Sequence, residues 1–168
     1  MSSEAVTNSS VQEGVAELAQ VMADITDGRT DLAQAAGLSD QDLEALYSVA
    51  HGFYAVGKYQ EALNFFQVLC LCRQTDGRFW FGLGAACQML DKPGGALRAY
   101  AMAALFDLEN PQISLRAAEC LIKLGDLKTA RAALDAVIEL SGAQTGQPSY
   151  RERARLMLQQ LDRSEAAA

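Results

Sequence analysis

The stretch GKYQEALNFF at residues 57–66 sets the pattern of this chain, because it returns at a constant interval. It is followed 34 residues later by DKPGGALRAY at 91–100, and after the same interval again by GDLKTARAAL at 125–134. All three copies have alanine at the sixth place and a bulky apolar residue at the tenth. Two further registers keep this spacing: Val49, Leu83 and Ala117, and Ala50, Gly84 and Ala118. The chain therefore contains an internal repeat of 34 residues.

A repeat of this length, with small residues where two helices cross, is typical of the tetratricopeptide helix-turn-helix unit. Three such units are predicted at 43–76, 77–110 and 111–144. The same register predicts the helix boundaries, with first helices ending near Ala55, Met89 and Lys123 and second helices beginning near Tyr59, Gly94 and Leu127. The predicted fold is all-α, a tetratricopeptide-repeat superhelix with an N-terminal helical segment and a C-terminal capping helix.

The turn inside each hairpin differs among the repeats. Gly57 and Gly125 occupy the position where a positive φ is needed, and glycine adopts that conformation without strain. The middle repeat has Asp91 at the same place, followed by Lys92 and Pro93. We therefore expect the middle turn to be the least typical of the three.

The segments outside the repeats have separate roles. Residues 1–38 are predicted to form a polar disordered tail over 1–10 and an amphipathic helix over 11–26. We expect residues 39–144 to hold the repeats and 145–168 to form a capping helix whose tail, Ser164 to Ala168, is frayed. Ser39 and Asp42 resemble a capping box that opens the first repeat. The apolar side of the N-terminal helix is a candidate dimerisation surface, formed by Val15, Leu18, Val21, Met22 and Ile25.

Composition narrows the classes of function. The 21 acidic and 14 basic residues give a formal charge of −7, which disfavours nucleic acid as a partner. The N-terminus has no basic cluster followed by an apolar run, and no stretch is long enough to span or insert into a membrane. We expect a cytoplasmic protein whose four cysteines stay as thiols.

The residues of the chain do not suggest catalysis. His51 is the single histidine, and it lies on a predicted helix without a serine or cysteine placed for it to activate. Cys70 and Cys72 are two residues apart on a helix, so their thiols point roughly 200° apart and cannot chelate one metal ion. We expect no enzyme, no catalytic residue, no metal and no cofactor.

One face of each first helix is free for binding. Repeat positions 2, 5, 9 and 12 point to the concave side, because the second helices form the outer layer. We call this surface the groove face: Glu44, Tyr47, His51, Tyr54, Arg78, Phe81, Ala85, Gln88, Gln112, Leu115, Glu119 and Ile122. Four of its apolar side chains, Tyr47, Tyr54, Phe81 and Leu115, are not required by packing, so a bound peptide is expected to cover them. The N-terminal helix or a second subunit could fill the groove instead.

A combination of motifs resembles a known family. The motifs are LYSVA at 46–50, GKYQEA at 57–62, FQVLC at 66–70, GLGA at 82–85, AAECL at 117–121 and GDL at 125–127. Together they resemble the class II chaperones of bacterial type III secretion translocators, typified by the low-calcium-response protein H family, across about residues 38 to 140. His51 departs from the aromatic residue often found at its position.

The resemblance implies a bacterial cytoplasmic chaperone that keeps hydrophobic translocator proteins soluble before export. It implies that an extended N-terminal segment of the client lies in the groove and that the chaperone forms a homodimer through N-terminal helices. Tyr47 and Tyr54 fall where the family has groove aromatics, and Ala85, Gln88 and Glu119 also align with groove positions.

Two other functions stay open at this stage. A general tetratricopeptide scaffold or adaptor would dock an acidic tail through a clamp of Lys, Asn and Arg, but Tyr47 and His51 occupy two clamp positions and only Arg116 fits. A regulatory protein that binds a transcription factor is compatible with the same family.

Overall fold

The computed structural model describes the backbone of residues 3–143 and 148–166 and the side chains of 14–141 and 149–164. Within these ranges the regular structure is entirely helical, which confirms the all-α prediction. The helices are α1 (Ser3–Thr26), α2 (Leu32–Ala35), α3 (Asp40–Ala55), α4 (Tyr59–Cys72), α5 (Gly77–Met89), α6 (Pro93–Ala104), α7 (Pro111–Leu124), α8 (Leu127–Ala143) and α9 (Pro148–Ala166). Along the described part of the chain, none of the helices combines the length and apolar character needed to cross a membrane.

The three repeats are the hairpins α3–α4, α5–α6 and α7–α8, and each helix packs on the next along the chain. The first helices end at Ala55, Met89 and Leu124, within one residue of the predicted positions. The second helices begin at Tyr59, Pro93 and Leu127, which agrees equally well. Residue 144, the predicted end of the third repeat, lies outside the described residues.

Small residues at the helix crossings explain why these hairpins pack closely. Ala62, Ala96 and Ala130 are fully buried, as the repeat register requires. A Cβ atom added at Gly84 would lie 2.6 Å from the ring of Tyr100, closer than two carbon atoms can approach. The ring of Phe66 similarly fills the space beside Gly82. The aromatic residue of one helix therefore packs directly on the backbone of another.

The turns inside the three hairpins have one geometry. Gly57, Asp91 and Gly125 have φ values of 79°, 54° and 80°, all in the left-handed region. In each turn the following amide donates to a carbonyl five residues earlier, over 2.9, 2.9 and 3.0 Å for Lys58, Lys92 and Asp126. The middle turn is therefore not atypical in shape. Among the described residues, Asp91 is the only non-glycine residue with a positive φ.

The flanking segments differ in part from their predictions. Helix α1 begins at Ser3, so the prediction of a disordered tail over 1–10 is wrong for residues 3–10. The capping box at the start of α3 is confirmed, because the Ser39 side chain accepts from the Asp42 amide while the Asp42 carboxylate accepts from the Ser39 amide. Residues 1–2 lie outside the described part of the chain.

The C-terminal helix α9 covers the last hairpin. Its residues Ala154 and Leu161 are buried against Leu134 and Val137 of α8. Helix α9 therefore has the predicted capping position. The helix continues to Ala166, past the predicted frayed end at Ser164, and residues 145–147 and 167–168 lie outside the described part of the chain.

Candidate functional site

The residues of the predicted groove face lie on α3, α5 and α7, the first helices of the three repeats. Side-chain hydrogen bonds join these helices directly. Arg78 of α5 donates to Glu44 of α3, and Gln88 of α5 donates to Glu119 of α7. Most members are half-buried, namely Tyr47, Tyr54, Phe81, Ala85, Gln88, Gln112, Glu119 and Ile122, and the exposed members are Glu44, His51 and Arg78. These helices therefore form one continuous layer that shows solvent a mixed aromatic and polar surface.

Leu115 is an exception and corrects the prediction. Its side chain is 1% exposed and packs in a cluster with Ala118, Leu134 and Val137. Helix α9 adds Ala154 and Leu161 to the same cluster. The cap therefore converts this position from surface into core, and packing requires Leu115. The three aromatic residues predicted with it, Tyr47, Tyr54 and Phe81, are only half-buried.

Tyr47 forms the centre of an aromatic group on the first repeat. Its ring centroid lies 5.6 Å from that of Phe79 and 6.1 Å from that of Phe66, both of which are buried. Its hydroxyl lies 3.1 Å from His51 Nε2. Burial raises the pKa of the Tyr47 hydroxyl, so the phenol stays neutral and can share hydrogen bonds at physiological pH.

Arg78 is held in place by two carboxylates. Its guanidinium donates to Glu44 and to Asp76 over 2.6 Å each, and it lies 5.2 Å from the centroid of the Tyr47 ring. Burial alone would raise the pKa of Asp76, but the hydrogen bonds and charge of Arg78 outweigh it and lower that pKa. The Asp76 carboxylate also accepts from the Arg78 amide at the start of α5. The positive charge on this part of the surface is therefore neutralised within the protein.

A cavity of about 530 Å³ opens beside these residues. Its apolar wall comes from side chains that include Tyr47, Phe81, Phe106 and Ile113. Its polar wall comes from the loops before α5 and α7, through Arg73, Thr75, Asp76, Asp107 and Asn110. A cavity with one apolar and one polar wall suits a peptide, whose apolar side chain can contact the first while its backbone hydrogen-bonds to the second.

A connected polar network joins the second repeat, the third repeat and α9. The Tyr100 hydroxyl donates to Gln88 Oε1 over 2.9 Å, and Gln88 Nε2 donates to Glu119 Oε2 over 2.6 Å. The Glu119 carboxylate also receives Arg116 over 3.2 Å and Arg153 over 2.6 Å. The side chain of Glu119 is only 13% exposed, so its charge is stabilised by these donors rather than by water.

Sequence reasoning missed several members of this surface. Asp76 and Phe106 lie in or beside the loops between repeats, which the position rule for first helices does not reach. Arg153 lies on α9, which the sequence interpretation assigned to capping alone. A signal for it exists, since Arg153 follows Glu119 by 34 residues, the interval that also separates Glu44 from Arg78.

Comparisons with known proteins agree with this architecture. The tetratricopeptide repeat family matches residues 43–73 and 79–110. Low calcium response locus protein H of Yersinia pestis is 36% identical over 124 residues, which span 74% of this chain and 74% of that protein. A type III secretion system complex from Aeromonas hydrophila has a TM-score of 0.81 at 32% identity, covering 89% of this chain and 99% of that one. The Yersinia enterocolitica type III secretion chaperone SycD, solved with a peptide of the translocator YopD, has a TM-score of 0.72 at 34% identity, covering 76% of this chain and 97% of that one.

Proposed function

The chain belongs to the low calcium response locus protein H family of type III secretion translocator chaperones, and we propose that it binds an extended N-terminal segment of a hydrophobic translocator on its groove face. The client would thereby stay soluble and unassembled before export. The observation that carries this proposal is the layer of half-exposed aromatic side chains on α3 and α5, at Tyr47, Tyr54 and Phe81. The likeness to SycD, which holds a translocator peptide, supports it.

The expected binding free energy is compatible with reversible binding of the client. Burial of an apolar client side chain contributes roughly 1.5 to 3 kcal/mol, and a few such anchors are largely offset by the cost of association. Polar side chains beside the anchors, such as Gln112 and Thr75, can add hydrogen bonds to the client backbone. A Kd near micromolar, about −8 kcal/mol, is therefore expected.

An adaptor that grips an acidic tail is less consistent with the structure. Arg116, the one residue that fits such a clamp, lies 3.2 Å from the Glu119 carboxylate. Arg78 is paired in the same way with Glu44 and Asp76. Since these cations already have carboxylate partners, an acidic tail would have to displace them. An extended apolar segment has no such competition.

We also propose that the protein acts in the bacterial cytoplasm by binding alone, without catalysis, and that it forms a homodimer through α1. The apolar stripe of α1 supports the dimer, because Val15, Leu18 and Met22 are 61%, 63% and 55% exposed. Val21 and Ile25 of the same helix are half-buried. A second helix packed on this stripe would remove it from water.

Peptide binding tests the central proposal. We would titrate the purified chain into a fluorescently labelled peptide of YopD, the segment that SycD holds, and follow anisotropy. We expect saturation with a Kd in the micromolar range, and no saturation with a scrambled peptide of the same composition. Equal binding of both peptides, or no binding of either up to about 1 mM, would contradict the proposal.

A further inference from the structure

Helix α9 stands in the place of a fourth first helix. It packs on α8 as α5 packs on α4 and as α7 packs on α6, and it also contacts α7. It begins with Pro148, as α7 begins with Pro111. The ion pair of Arg153 with Glu119 repeats the 34-residue offset of the pair between Arg78 and Glu44. The layer that carries the groove face therefore continues from α7 onto α9.

A cleft of about 420 Å³ lies between these two helices. Its lining consists of Glu119, Ile122, Met157, Gln160, Leu161 and Ser164. Ile122 and Met157 are half-buried and offer an apolar wall, whereas Leu161 belongs to the core beneath. Because Glu119 and Ile122 are also members of the groove face, the cleft is continuous with it.

Two guanidinium groups meet at Glu119, a charged residue of the cleft lining. The Glu119 carboxylate receives two guanidinium groups, those of Arg116 and Arg153. One carboxylate balances only one of these charges. The Arg153 side chain is 55% exposed, so its guanidinium is open to a further carboxylate from outside.

We propose that the client segment does not stop at the third repeat but continues into the cleft between α7 and α9. It places an apolar side chain against Ile122 and Met157 and an acidic side chain beside Arg153. This inference rests on the proposed function. Adjacent helices are spaced by about 8–10 Å, so the added contact corresponds to about three residues of extended chain.

A pair of peptides separates this site from the rest of the groove face. The first is the YopD segment extended at both ends by about four residues along the YopD sequence, and the second is the unextended segment. The extension is made in two forms, with Asp or with Asn at each polar position. Binding to the unmodified chain is compared with binding to Met157→Gln, Met157→Leu, Arg153→Gln and, as the matched control on the outer side of α9, Arg155→Gln.

We expect Met157→Gln to weaken binding of the extended peptides about fivefold and to leave the unextended peptide unchanged, whereas Met157→Leu stays near the unmodified chain. We expect Arg153→Gln to weaken only the extended peptide that carries Asp, and Arg155→Gln to weaken none. A variant that merely loosened the fold would weaken both lengths equally, and that result would overturn the inference.

The two proposals can fail separately. If Phe81→Ala weakens both peptides but the Met157 and Arg153 variants bind the extended peptides normally, the cleft takes no part and the chaperone function stands. If the unmodified chain binds neither length, both proposals fall.

Discussion

The guanidinium of Arg78 lies 2.6 Å from the carboxylate of Glu44, and the two residues hold the same position in neighbouring repeats. The pair therefore links α3 to α5 across the groove face. Because Asp76 binds the same guanidinium and Tyr47 lies beneath it, the positive charge is fixed at one place. The aromatic surface next to it therefore lies beside a neutralised cation, which suits an apolar side chain of the client.

Loss of an aromatic side chain should weaken client binding without unfolding the protein. We expect Tyr47→Ala or Phe81→Ala to lower the affinity for the YopD peptide about tenfold, because each removes part of an apolar contact worth about 1.5 kcal/mol. Circular dichroism should show unchanged helicity. Tyr47→Phe is the control, since it keeps the ring and removes only the hydroxyl near His51. Unchanged affinity in both alanine variants would contradict the groove assignment.

Two glycine-to-alanine substitutions distinguish a glycine that is needed for close packing from one that only lowers helix propensity. Gly84→Ala places a methyl group against the Tyr100 ring and should lower the free energy of unfolding by about 1–3 kcal/mol. Gly52→Ala, in the interior of α3 with no atom within 4 Å of the new methyl group, should raise it by about 0.5–1 kcal/mol. Urea unfolding followed by circular dichroism measures both. Equal effects of the two changes would show that Tyr100 does not pack as described.

The Asp76 carboxylate should make stability depend on pH in the acid range. Its pKa is lowered in the folded protein, so its contribution is fully present above the unfolded pKa of about 4 and is lost as pH falls through the lower folded value. We expect Asp76→Asn to be less stable than the unmodified chain at pH 7. The difference in unfolding free energy should shrink steadily below about pH 4. A difference that stays constant down to pH 2 would exclude an electrostatic origin.

Charge on the α1 stripe should disrupt association but not client binding. We expect Leu18→Asp or Met22→Asp to shift sedimentation velocity from dimer to monomer, because a carboxylate would be buried without a partner. Gln20→Ala, on the opposite side of α1, should leave the dimer intact. Peptide affinity should be the same in all three proteins. A dimer that survives both aspartate substitutions would show that α1 is not the interface.

The helix boundaries could be predicted from the sequence because a repeat copies them. If Ala62 lies where two helices cross, then Ala96 and Ala130, at intervals of 34 residues, lie at equivalent crossings. In the same way, a turn at Gly57 predicts a turn at Gly125. The geometry of the middle turn did not follow, since Asp91 lacks the glycine signal. There the packing of α5 against α6 imposes a conformation that the local residue type does not favour.

The errors at the candidate site also have physical causes. Leu115 was assigned to the surface by its position in the repeat, and the rule failed because α9 covers that end of the stack. Ser3–Thr26 is longer than predicted because polarity alone does not prevent helix formation in a segment without proline or glycine over residues 3–13. Arg153 was missed because the repeat register was applied only up to residue 144, although the 34-residue interval from Glu119 to Arg153 continues it.

The outward side of α9 affects whether two copies of the chain can pack end to end. The inward side completes a core, whereas the outward side presents Glu152, Arg155, Gln159 and Arg163 to water. Repeat proteins can polymerise end to end when the terminal hairpin exposes an apolar surface on which the next molecule packs. Leu156 is the one large apolar side chain exposed on the described part of α9, and charged and polar residues surround it, so this edge opposes growth into filaments.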